Sequence, residues 1–283
     1  MDYASSAMSA WYWITGYLPF EWAQFTFMQN ALLAVIIVAP LFAFLGCMVI
    51  SNQMAFFSDA IGHAALTGIA IGALAGLADP LWAMIGFALA MTLLVSFLRR
   101  YSAVSTDAVI GLMMAFAVAL GVVLLSRGGG FARYSRYLVG DILTITPAEI
   151  GRLLVLLTLV VGVWIALFNR IFFISLNPAL ARSRGIRVGV LETLFAAIVA
   201  LGVTVSIPWV GLLVINALLI VPAAFSRNLA RNMPQYILGA VGISLLSGIA
   251  GLVVSYYWNT ATGATIVLCA MAFFAVSLVF RRR

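Results

Sequence analysis

Apolar residues run along this chain in long blocks separated by short polar links, and the blocks recur at the length a bilayer demands. Nine are read, at about 27–50, 57–77, 80–98, 108–126, 148–168, 189–207, 209–226, 236–257 and 262–280. Each is close to the roughly 20 residues that carry a helix across the hydrocarbon core. None shows the alternating ten-residue pattern of a lipid-facing barrel strand. The pattern predicts an all-α, polytopic helical membrane protein with about nine transmembrane helices, eight to ten bounding the count. Residues 1–26 differ. Trp11, Tyr12, Trp13, Tyr17, Phe20 and Trp22 crowd into them, the aromatic density of a membrane–water interface. They read as an N-terminal interfacial segment ahead of one transmembrane domain over 27–283.

Composition agrees: 65% of residues are hydrophobic and 8% charged, against about 45–50% apolar in soluble domains. The net charge of +7 comes from arginines in the links, so positive-inside bias explains it and nucleic acid need not be invoked. Under this topology Arg99, Arg100, Arg170, Arg182, Arg184, Arg187, Arg227, Arg231 and Arg281 to Arg283 share one side. Arg127, Arg133, Arg136 and Arg152 take the other. That asymmetry predicts a cytoplasmic C-terminus and, with nine spans, an outside N-terminus. A re-entrant segment near 134–146 would account for the outside arginines. The chain has no lysine, which excludes a Walker A loop and hence an ATPase site of its own. No HExxH or GxSxG occurs, so an intramembrane enzyme is not expected. Cys47 and Cys269 lack partner spacing and read as buried hydrophobes. No basic region precedes a short apolar core, so a cleaved signal peptide is not expected.

Against this background the polar residues inside spans stand out. Asp59 and the only histidine, His63, lie four residues apart in Phe57-Ser58-Asp59-Ala60-Ile61-Gly62-His63-Ala64-Ala65. At that spacing they share a helix face. Ionisable groups in lipid are costly and mark function by default. A carboxylate with an imidazole suits a divalent transition metal. Asp59 after Ser58 is also what a helix N-cap looks like, so capping and metal binding both stand. Two ligands bind weakly, and a symmetric homodimer would bring two such pairs to its axis. Asn216 should face the bundle interior, lining a pathway or bonding another helix. Pro222 should break or kink its helix and free backbone carbonyls. Asp107 is expected to cap the fourth span, and Asp141 and Glu149 to cap rather than attract cations. Gly68, Gly72 and Gly76 allow close helix approach.

The link at about 169–189 is basic and the longest on its side. Asn177-Pro178 predicts a helix start, with asparagine as N-cap and proline at the first position, and Gly185 its end. A short helix there is either a docking element for a partner or an ordinary basic loop.

Four stretches resemble a known family: Met54 through Gly68, Ser105 through Gly111, Tyr137 through Leu143, and Val210-Gly211 through Pro222-Ala223-Ala224. They are similar to the membrane permeases of bacterial ATP-binding-cassette importers for zinc and manganese, and the similarity covers roughly 27 to 280. The resemblance implies the importer permease fold in the bacterial cytoplasmic (inner) membrane. It implies a permease homodimer, two cytoplasmic ATP-binding subunits and an extracytoplasmic metal-binding protein. It places Asp59 and His63 on the metal pathway, and makes Pro178, Ala179, Ala181, Arg182 and Gly185 part of the segment that contacts the ATPase. Asn216 stands where serine or threonine is usual, and Asn52 and Gln53 replace basic residues. Gly140 to Leu143 and Ile266 to Ala270 lean toward zinc. The function implied is import of Zn2+ by alternating access, with no permanently bound cofactor and the metal as substrate. A Mn2+ or Fe2+ permease of the same family is the alternative. Beyond the family, a stand-alone cation channel or secondary transporter would use the same pair as a relay.

Overall fold

A chain that must satisfy its own backbone in hydrocarbon has helices as its available form once no barrel pattern exists, and every element of the structure is helical. The structure, a computed structural model, describes residues 2–17, 19–77, 79–128 and 140–280. The elements are α1 (Asp2–Gly16), a 3-10 turn (Glu21–Gln24), α2 (Thr26–Ser51), α3 (Ala55–Leu74), α4 (Leu81–Tyr101) and α5 (Thr106–Gly128). After a second 3-10 turn (Ile142–Thr144) come α6 (Pro147–Leu176), the six-residue α7 (Pro178–Ser183), α8 (Val188–Val210), α9 (Leu212–Leu229), α10 (Met233–Trp258) and α11 (Thr262–Val279). Among the described residues nine helices, α2–α6 and α8–α11, are long and apolar enough to span, where the apolar blocks put them. Helix α1, at 15 residues, is shorter than a span requires. It is tied down by hydrogen bonds from Trp11 Nε1 to the Gln29 carbonyl (3.0 Å) and from Tyr12 Oη to Asn30 Oδ1 (2.8 Å). Residues 134–139 of the segment expected to re-enter near 134–146, and Arg133, Arg136 and Arg281 to Arg283, lie outside the described residues, as does the Arg127 side chain.

The described residues fall into two compact units. One is drawn from Met1–Cys47, Val139–Leu159 and Trp209–Arg283, the other from Met48–Leu138 and Val160–Pro208. In the first, α9, α10 and α11 pack on one another. Small residues let them approach α2: a Cβ on Gly248 would strike Val35 Cγ1 at 2.5 Å, and Ser244 Oγ donates to the buried Ala39 carbonyl at 3.0 Å. Gly140 (φ +66°) lies directly on the Val210–Gly211 backbone, with no room for a Cβ, and Gly211 (φ +84°) caps α9. Two of the four stretches read from the sequence thus meet backbone to backbone.

In the second unit α3 packs between α4 and α5. A Cβ on Gly68 would lie 2.6 Å from Met84 Cα, and one on Gly72 3.1 Å from Ala83 Cβ, so both serve close approach. Gly76 does not. It has open space and a φ of +70°, and it ends α3, with Leu77 N–H donating to the Gly72 carbonyl.

Three expectations are corrected. Helix α6 runs 30 residues, about 45 Å at 1.5 Å per residue, so residues 169–176 belong to it and the link between helices is shorter than 169–189. Ser105 caps α5, its Oγ accepting from Ala108 N–H at 3.3 Å. The helix begins at Thr106, which leaves Asp107 inside the first turn rather than before it. Helix α9 continues through Pro222, so of the break or kink expected there the break falls; the proline removes one donor without ending the helix. Asp141 and Glu149 do cap. Asp141 accepts from Leu143 N–H at 3.1 Å, and Glu149 reaches back to accept from Thr146 N–H (2.7 Å) and Oγ1 (2.8 Å), the glutamate half of a Thr-x-x-Glu capping box.

Candidate metal site and coupling segment

Helix α3 is set by its preceding turn. Met54 N–H donates to the Val49 carbonyl and Gln53 N–H to the Ile50 carbonyl, the paired bonds of a Schellman stop. Gln53, at φ +55°, takes the left-handed position usually given to glycine. The chain reverses and α3 starts at Ala55 after Met54, which makes no side-chain cap. Asp59 is therefore the fifth residue of the helix and cannot be its N-cap. Of the two readings for Asp59, the capping one falls.

From Phe57 to Ala70 every residue of α3 is buried except Asp59 and His63. The pair occupies the single accessible stripe of a helix whose other faces are packed. His63 Nε2 lies 3.8 Å from Asp59 Oδ1, with the side chains 25% and 38% exposed. Two ligands on a tetrahedral zinc, at bond lengths near 2.1 Å, stand roughly 3.4 Å apart, so a small side-chain rotation suffices to grip one ion. His63 Nδ1 is buried and finds no hydrogen-bond partner among the described residues. Ligating imidazoles usually donate that second nitrogen to an acceptor that fixes the ring. Among the described residues no group of three or more histidine, cysteine or carboxylate side chains comes together. One chain thus offers half a coordination shell with a loosely held imidazole.

One supporting residue was not foreseen. Thr67 Oγ1, fully buried one turn past His63, lies 2.7 Å from the Ala117 carbonyl of α5 and 3.1 Å from the His63 carbonyl. Gly121 leaves room for it. The i, i+4 spacing from His63 is the signal that could have found it. Asn216, half-buried, and Pro222, buried, lie on α9 in the other compact unit. The Pro222 nitrogen carries no hydrogen, so the Leu218 carbonyl loses its intrahelical donor.

The short helix read in the 169–189 link forms as its sequence predicts. Asn177 Oδ1 accepts from Leu180 N–H at 3.0 Å and Pro178 occupies the first turn. Gly185, at φ +74°, closes a second Schellman stop through Gly185 N–H to Arg182 and Ile186 N–H to Ala181. Ala181 is fully buried on Ile174 and Val188. It anchors the helix, whereas Pro178, Ala179, Arg182 and Gly185 are exposed.

Comparison with known proteins bears on the family. A model of the ABC 3 transport family matches residues 24–281. The chain is 30% identical over 265 residues to the high-affinity zinc uptake system membrane protein ZnuB of Haemophilus influenzae, covering 92% of this chain and all of that one. It is 30% identical over 254 residues to the manganese import system permease protein ScaB of Streptococcus parasanguinis, covering 90% of each. The structure of PsaBC from Streptococcus pneumoniae in complex with Fab superposes with a TM-score of 0.79 at 27% identity, over 90% of this chain and 92% of that one. The choice between an importer permease and a stand-alone channel is thereby made. The accessible Asp59/His63 stripe and the capped α7 helix sit in a chain that belongs to the ABC 3 transport family, the zinc and manganese permeases of ATP-binding-cassette importers.

Proposed function

We propose that this chain conducts Zn2+ as one half of a permease homodimer, with Asp59 and His63 as transient ligands on the pathway. The observation that carries the reading is that these are the only residues between Phe57 and Ala70 that escape burial. An ionisable pair on an accessible face is costly against lipid, so a second copy or a water-lined path covers it in the membrane. Two copies supply two imidazoles and two carboxylates, a tetrahedral set for zinc. The unbonded His63 Nδ1 favours release, and a pathway site must let its ion go. The imidazole nitrogen favours zinc over manganese, which suits oxygen ligands. The manganese reading is supported by the equal 30% identity to relatives named for either metal.

Residues 27–283 work as one permease domain behind the interfacial segment 1–26, in the bacterial cytoplasmic membrane with the C-terminus inside. Two cytoplasmic ATP-binding subunits dock on the exposed face of α7 around Pro178, Ala179, Arg182 and Gly185, and an extracytoplasmic protein delivers the metal. ATP-driven closure of those subunits moves α7 and switches the side to which the pathway opens. Asn216 and the Leu218 carbonyl freed by Pro222 offer further oxygen contacts along the way. The test is radiolabelled zinc uptake, with manganese in competition, in cells lacking their own zinc importer and expressing the whole system. ATP-dependent zinc uptake that manganese does not suppress is expected. Uptake that manganese competes out at equal concentration transfers the assignment to manganese.

A further inference from the structure

Beyond metal transport, the junction of α4, α7 and α8 carries an unassigned site. A cavity of about 740 Å³ opens there, with Arg99, Arg100, Arg182 and Arg187 on its wall and Glu192 as the only acid. Among the described residues none of these arginines forms an ion pair or a side-chain hydrogen bond. The Arg100 guanidinium lies directly against Gly189, in the first turn of α8, where any Cβ would displace it. Arg182 belongs to the docking face of α7; the other three guanidiniums around one hollow match a phosphate, which arginine grips through paired N–H donors.

The hollow continues into a groove of about 530 Å³ that shares Ser96, Arg100, Val190 and Thr193 with it. The groove's other walls are Leu93 and Phe97 of α4 and Leu194 and Ala197 of α8. These side chains belong to membrane-spanning helices. Phe97 and Tyr101, with ring centroids 4.6 Å apart, both line the groove, and such aromatics mark the headgroup level. We propose that this junction binds one anionic phospholipid, its phosphate among Arg99, Arg100 and Arg187 and an acyl chain along Leu93, Phe97, Leu194 and Ala197. A soluble phosphate fills only the hollow. An acidic protein segment stays outside the bilayer and cannot follow the groove. Only a ligand with an anionic head and a hydrocarbon tail satisfies both parts.

The test uses the full-length chain in nanodiscs of phosphatidylcholine doped with phosphatidylglycerol, extracted into detergent and weighed by native mass spectrometry. The wild type is expected to retain phosphatidylglycerol in preference to phosphatidylcholine. Arg100→Gln and Arg187→Gln should each weaken retention about fivefold, the effect of one basic residue near an anionic headgroup. The exposed Arg152 of the other unit is the charge-matched control, and Arg152→Gln should change nothing. Ala197→Trp fills the groove with the three arginines in place and should also release the lipid. Retention that survives both the arginine and the groove substitutions overturns the site. So does equal competition by glycerol phosphate, which has no tail. Displacement of the lipid by added ATP-binding subunits would make the hollow a protein-docking surface instead.

Discussion

His63 presents Nε2 toward Asp59 at 3.8 Å, and its buried Nδ1 has no hydrogen-bond partner among the described residues. A metal held by this pair has one imidazole without the acceptor that normally stiffens it, which suits an ion that must move on. Removing either ligand should cost zinc transport at least the tenfold that loss of a supporting acceptor costs elsewhere. His63→Ala and Asp59→Asn are therefore each expected to lower zinc uptake tenfold or more at equal membrane abundance. Uptake unchanged in both variants would return the pair to packing. The sequence put the two groups on one face because i, i+4 geometry is local. It left capping open for Asp59, because the start of α3 depends on how Gln53 reverses the chain, and that is a matter of backbone dihedrals.

At the scale of elements, two Schellman stops bracket the functional helices, and they differ in the residue at the left-handed position. Gly185 ends α7 there without strain, while Gln53 holds φ +55° at the entry to α3. An L-residue in that region pays about 1–2 kcal/mol, partly offset by the stiffer unfolded chain. Gln53→Gly should raise unfolding stability in detergent by roughly 0.5–1 kcal/mol, and Gly185→Ala should lower it by about 1 kcal/mol; denaturant midpoints of the purified protein read both. A fall in stability with Gln53→Gly would show that the Gln53 side chain contributes more than its backbone costs. The approach of α3 to α4 gives a third case. Gly68→Ala places a methyl 2.6 Å from Met84 Cα, against backbone rather than a yielding side chain. Overpacking of that kind costs about 1–3 kcal/mol, and the same titration should show it. The α7 caps were legible, since Asn177, Pro178 and Gly185 act through bonds three or four residues long. The reach of α6 was not, because Asn169 and Arg170 are polar enough to suggest a link yet neither stops a helix. The cap of α5 shifted two residues, from Asp107 to Ser105, as either side chain can serve and only the first helical turn chooses.

For the whole molecule, the half-shell on one chain makes stoichiometry the informative quantity. A site shared across a dimer axis predicts one zinc per two chains, measured on the purified permease by elemental analysis after brief desalting at saturating zinc. One zinc per chain would locate a complete site within each copy and remove the shared one. The sequence by itself determined the helical class, the nine spans, the Asp59/His63 face and the capped α7. A bilayer imposes length and internal hydrogen bonding on every segment, and caps and i, i+4 pairs are contacts within a few residues. Tertiary structure alone decided which face of α3 stays accessible and that Thr67 ties it to α5. It also decided that Gly140 seats on Gly211, and that arginines from α4, α7 and α8 surround one hollow. Each of those joins residues far apart in the chain, where spacing carries no information and close packing makes the choice.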